Sequence, residues 1–181
     1  MVRMFGRAAL VASGILVALG LALGVALVPA RADEEPGHIK LSAGMIGLVP
    51  TDNDDAGYFS FEYRAGPSWE FWNVRPSFGV AATTDSSLYG WTALNLDIYF
   101  GPRLVLTPSS GVGLYGDGDG QDLGSVIVFR NGAEFAWRFD NRARAGVGLH
   151  YLANFGIGDD DPGTMTLAVF YAHPLGSLLP P

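Results

Sequence analysis

From His38 to Ala172 the chain alternates apolar and polar side chains with a period of two, and that pattern leaves few folds open. Successive side chains of a strand point to opposite sides, so this alternation marks strands with one apolar and one polar face. Clusters of Gly, Pro, Asp and Asn divide it into eight segments: His38–Leu48, Gly57–Ala65, Val74–Ala82, Leu88–Phe100, Arg103–Tyr115, Gly124–Phe139, Arg142–Ala153 and Thr164–Ala172. The second is the clearest, with Phe59, Phe61 and Tyr63 set against Tyr58, Ser60, Glu62 and Arg64.

The polar face carries charges of both signs: Glu62, Arg64, Arg75, Asp97, Arg130 and Glu134. A soluble sandwich buries the apolar face, whereas a membrane barrel turns it to lipid and encloses the polar one; alternation alone does not separate the two. Several other features favour the membrane. The strand number is even, several segments reach the length a tilted strand needs to cross a bilayer, and longer acidic connections alternate with short turns. The expected fold is all-β, an eight-stranded antiparallel transmembrane β-barrel whose lumen is filled by side chains and leaves no wide pore. The acidic connections hold Asp52, Asp54, Asp55, Asp85, Asp117, Asp119, Asp122, Asp159, Asp160 and Asp161 on one rim, with Arg64, Arg103, Arg138 and Arg142 on the other.

The N-terminus is a separate object. Arg3 and Arg7 precede an apolar run from Ala8 to Val28, and Ala30-Arg31-Ala32 supplies a small-x-small cleavage pattern before Asp33-Glu34-Glu35. This reads as a signal peptide over residues 1–32, cleaved after Ala32, with a barrel domain over 33–181; an uncleaved inner-membrane anchor is the alternative. An exported barrel of this kind belongs in the bacterial outer membrane. Without the leader the chain holds 8 basic and 18 acidic side chains, a net charge of −10, which excludes a basic nucleic-acid surface. The absence of cysteine excludes disulfides and thiolate metal sites. His38, His150 and His173 have no metal-ligand spacing, and Asp117-Gly118-Asp119 lacks the glutamate that closes a calcium loop, Val128 standing in its place. No metal and no cofactor is expected.

The last quarter carries more. Phe129-Arg130-Asn131-Gly132, Trp137-Arg138-Phe139-Asp140, Asn154-Phe155-Gly156-Ile157-Gly158-Asp159 and Pro162-Gly163-Thr164 together resemble the lipid A 3-O-deacylase (acyloxyacyl hydrolase-like) family of outer-membrane barrels. The resemblance covers Phe129 to Leu175 and extends to the earlier strands by pattern. It implies lipid A of lipopolysaccharide, within the outer-membrane lipid, as partner. It also implies a serine nucleophile, a histidine base and an orienting glutamate, set in a His-x-Ser-Asn-Ala-Gly pattern followed by Asn-Pro-Gly and Glu.

Aligned without a gap on Asn154, Gly156 and Pro162-Gly163, the histidine position is Tyr151, the serine position Ala153 and the glutamate position Met165, while the loop asparagine falls on Asp161. Alanine has no nucleophile, methionine does not orient an imidazole, and a phenol with a pKa near ~10 is a poor base at neutral pH. A one-residue shift offers His150 as the base, but strand parity sets His150 with Arg144, Gly146 and Gly148 on the enclosed face, and Tyr151 and Ala153 with Val147 and Leu149 on the lipid face. Three readings follow: a deacylase-like barrel with a degenerate Ser/His/Glu site that binds lipid A, a working carboxylic ester hydrolase that uses His150, or a structural or adhesion barrel.

Overall fold

The computed structural model describes residues 35–48, 55–158 and 162–177. The leader and its cleavage point, Asp52, Asp54 and Asp159 to Asp161 all lie outside the described residues.

Among the described residues there are nine strands: β1 (His38–Ile46), β2 (Ala56–Arg64), β3 (Val74–Thr83), β4 (Leu88–Leu96), β5 (Ile98–Phe100), β6 (Leu104–Gly116), β7 (Ile127–Arg138), β8 (Arg144–Ala153) and β9 (Thr164–Pro174). β4 and β5 form one stave, because both pair with β6 in a continuous register, Asn95 opposite Ser109 and Ile98 opposite Leu106. That register brings Leu96 opposite Pro108, which has no N–H to donate, and the ladder breaks there. The sheet runs β4-β3-β2-β1-β9-β8-β7-β6-β5, and the β4–β6 pairing closes it into an eight-stave antiparallel barrel. The eight expected segments are the eight staves, with shifts of a few residues at their ends.

The barrel is inside out relative to a soluble protein. Phe59 is 58% exposed, while Glu62, three residues on and facing the lumen, is 0% exposed. Leu41, Phe61, Phe78, Val80, Leu94, Leu114, Phe135, Val147, Leu149 and Val169 join Phe59 on the outer wall. Water does not favour such a continuous apolar surface; a bilayer does.

The termini share one end of the barrel, since His38 pairs with Pro174. At the opposite, distal end the lumen holds a layer of aromatic rings. Tyr89 stacks on Trp91 at 5.0 Å, and Tyr115 lies 6.4 Å from Tyr89. Trp91 fits because Gly79 faces it: a Cβ on Gly79 would stand 2.2 Å from the indole. Leu123, 1% exposed, lies among these rings, and Tyr115 Oη donates to Gln121 O over 3.0 Å.

Toward the terminal end the lumen is charged. Lys40 and Arg64 both pair with Glu62 and Glu134. Asp97 accepts from Arg75, from Arg144 at 2.9 Å and from Thr107 at 2.7 Å. Glu35 pairs with Arg138 at 2.5 Å and Arg144 at 3.2 Å, Arg75 donates to Pro36 O, and Leu175 N donates to Gly37 O. Residues 35–37 are thereby tied across the terminal mouth.

Two of the four expected rim placements differ from the sequence expectation. Arg64 is not a rim residue: it is 5% exposed and held inside by its two glutamates. Arg138 also reaches inward, to Glu35, while Arg103 stays at the rim with Asp140 at 2.9 Å. The rim expectation counted position along the chain; the ion pairs follow the cross-barrel distances.

Candidate functional site

The ladders between β7, β8 and β9 bring together the three positions that the resemblance aligns with the family site. Tyr151 stands directly opposite Met165, and Ala153 follows two residues along on the same side of β8. Parity sets all three toward lipid, but they are not equally open. Tyr151 and Met165 are half-buried, and Ala153 is 1% exposed. Ala153 faces Phe129 across the β7–β8 ladder, and the ring of Phe155 packs against Phe129 at 5.4 Å. Phe155 is held at φ 53, left-handed backbone that a bulky residue seldom adopts. At Ala153, the position that the resemblance aligns with the serine, the chain has a methyl group closed over by its own structure.

The Tyr151 phenol runs up toward the β8–β9 connection. A Cβ on Gly163 would lie 2.0 Å from its hydroxyl, and Gly163 has φ +60, so a side chain at 163 would be excluded on both counts. Asn154 has a structural part. Fully buried, it donates to Leu123 O over 2.8 Å and accepts from Gly156 N over 2.7 Å, binding the β8–β9 connection to the β6–β7 connection. Asp161 lies outside the described residues.

His150 faces the lumen, as its parity requires. It is 5% exposed, stands opposite Gly132, and has Nε2 3.8 Å from Glu134 Oε1. The wall separates its imidazole from the face that holds Ala153.

A polar row that the sequence reading did not single out crosses the same wall. Tyr151 is opposite Asn131, and Asn131 is opposite Ser110. Ser110 Oγ donates to Asn131 Oδ1 over 2.7 Å on the outer face. Val112 and Leu114 lie on one side of this pair and Phe135 and Trp137 on the other, all exposed. Hydrogen-bonding side chains amid a lipid-facing apolar belt are costly, and they are informative for that reason. Parity places Ser110 on the outer face and Ser109 in the lumen, but nothing within the 13-residue strand hints that Ser110 meets Asn131. Ser110 is no activated nucleophile, because its polar partner is an amide and not a base.

At the distal end Asp85 lies in the β3–β4 turn. Slight burial raises its pKa, but hydrogen bonds from Thr83 and Ser87, including Ser87 Oγ at 3.0 Å, outweigh this and hold the carboxyl below the ordinary value of 3.8. Among the described residues no group of His, Asp or Glu side chains has the arrangement of a metal site.

Outward apolar wall, enclosed ion pairs and closed ladder define a membrane-spanning β-barrel of the outer-membrane type. Residues 57–174 match the family model described as lipid A 3-O-deacylase (PagL), and the chain belongs to that family. The crystal structure of the outer membrane enzyme PagL superposes with a TM-score of 0.59 at 17% identity, covering 76% of this chain and 99% of that one. A de novo designed transmembrane β-barrel (TM-score 0.47, 14% identity, 77% and 96% covered) and the Yersinia pestis outer membrane protein Ail (TM-score 0.44, 14% identity, 76% and 99% covered) are also similar. No curated protein matches the chain. The protein is thus an outer-membrane β-barrel of lipid A 3-O-deacylase type.

Proposed function

We propose that this barrel binds lipid A of lipopolysaccharide on the outer wall of β7–β9 and does not cleave it. One observation supports the reading: Tyr151, Ala153 and Met165, which the resemblance aligns with the family site, lie together on one patch of the lipid face. Ester cleavage by this family's logic needs a nucleophile, a base in hydrogen-bond reach and a group to orient the base. The patch supplies none of the three. It keeps an apolar surface for acyl chains, a phenol, and the Asn131–Ser110 pair as hydrogen-bonding groups.

The test restores the chemistry. Tyr151→His, Ala153→Ser and Met165→Glu are introduced together, the barrel is refolded, and lipid A is examined by mass spectrometry. Gain of a single deacylation is the expected result. A folded triple variant that stays inactive sinks the residue assignment. Failure of the unmodified barrel to retain lipid A in a flotation assay leaves the structural or adhesion reading instead.

A further inference from the structure

The charges inside the barrel fall into two groups. Toward the terminal end Arg75, Arg138 and Arg144 face Glu35, Glu70 and Asp97, three against three. Above them Lys40 and Arg64 share Glu62 and Glu134 through four ion pairs, which engages both carboxylates. Arg130 belongs to this second group and is left over. It is 3% exposed, and among the described residues no carboxylate lies within ion-pair distance of it. Its guanidinium carbon sits 4.8 Å from the centroid of Trp91, and the Tyr58 phenol is a hydrogen-bonding neighbour. A ring face offsets only part of what it costs to seal a cation away from water.

Unsatisfied groups gather around the same residue. Trp91 Nε1, Tyr89 Oη and His150 Nε2 have no hydrogen-bond partner among the described residues. Arg130 and His150 line a small internal cavity of about 10 Å³ with Ser42, Tyr58 and Ser60; Lys40 and Glu134 also reach it, already paired with each other. That volume takes one water-sized guest, so carboxylates and phosphates are too large. The group has three cations and two carboxylates, hydroxyl donors beside the unpaired cation, and a cavity for one atom.

We propose that the lumen binds a single chloride ion beside Arg130. The guanidinium supplies the charge, Ser42 and the Tyr58 phenol supply O–H donors, Ser60 holds that phenol by its own hydrogen bond, and the ion brings the upper group to neutrality. The site is internal and independent of whether the outer wall binds lipid A.

Crystals of the mature barrel grown in sodium bromide in place of chloride test this directly. One bromide anomalous peak in the Arg130 cavity is expected; a water there, or bromide only on the surface, overturns the proposal. In solution the unfolding midpoint is read in sodium chloride against sodium gluconate at equal ionic strength. It rises with chloride and not with gluconate, because a ligand of the folded state stabilises by mass action. Arg130→Met removes the difference, and Ser60→Ala raises the half-saturating chloride roughly tenfold. Equal midpoints in the two salts overturn the site even if Arg130→Met does not refold.

Discussion

Asp97 offers the sharpest test of how the barrel is held together. It is 4% exposed and accepts from Arg75, Arg144 and Thr107, with Tyr99 Oη at 3.4 Å. Asp97→Asn keeps the shape and removes the charge, leaving two enclosed guanidiniums without their shared carboxylate. Breaking a buried ion pair on one side costs about 3–5 kcal/mol. At about 2–4 °C per kcal/mol for a domain of this size, the unfolding midpoint falls by about 6–20 °C. Arg75→Met in the same chain removes the cation left with only the longer Glu70 contact at 3.8 Å, while Arg144 keeps Glu35 at 3.2 Å. The double variant therefore recovers most of the loss, with a coupling energy of about 2 kcal/mol or more. Urea unfolding in lipid vesicles, followed by the gel shift between folded and unfolded barrel, measures all four corners of the cycle. Additive losses would refute the claim that the charges act as a paired network.

Gly79→Val drives a side chain into the indole of Trp91, 2.2 Å from where its Cβ would stand, so refolding yield drops sharply while Gly101→Ala, with nothing within 4 Å, costs only the strain of its φ of +69; circular dichroism of refolded samples separates the two. Asp85 has a lowered pKa, so its turn contributes stability above the unfolded value of 3.8 and loses it as pH falls through the folded one. The unfolding midpoint of Asp85→Ala is accordingly less acid-sensitive between about pH 5 and pH 2 than that of the parent, and identical acid limbs would contradict this. Asn131→Leu and Ser110→Ala leave the fold intact and weaken lipid A retention in the flotation assay, since they remove the hydrogen-bonding groups beside Tyr151; unchanged retention assigns no lipid contact to that row.

The strand pattern and its parity were legible because alternation is local. Phe59 against Glu62, and Tyr151 against His150, fall on the sides that a period of two assigns them. That Tyr151 and Met165, the positions the resemblance aligns with the family site, share one hairpin was legible for the same reason. Long-range relations were not. Arg64 reads both as a member of the enclosed polar face and as a rim cation until the barrel closes and Glu134, seventy residues away, meets it. In the sequence Glu35 is only the last acid of the Asp33-Glu34-Glu35 run after the cleavage pattern, yet it locks the terminal mouth through Arg138 and Arg144. Nor does the sequence show that Phe155 packs on Phe129 beside Ala153, because that cover depends on a left-handed residue just past the end of β8.

The measurement closest to the central claim is mass spectrometry of lipid A after incubation with the refolded, unmodified barrel. Because the site positions hold Tyr151, Ala153 and Met165, the account predicts that lipid A is retained by the barrel and recovered with every acyl chain in place. Loss of one chain, abolished by His150→Ala, would contradict it and assign the chemistry to the imidazole inside the wall.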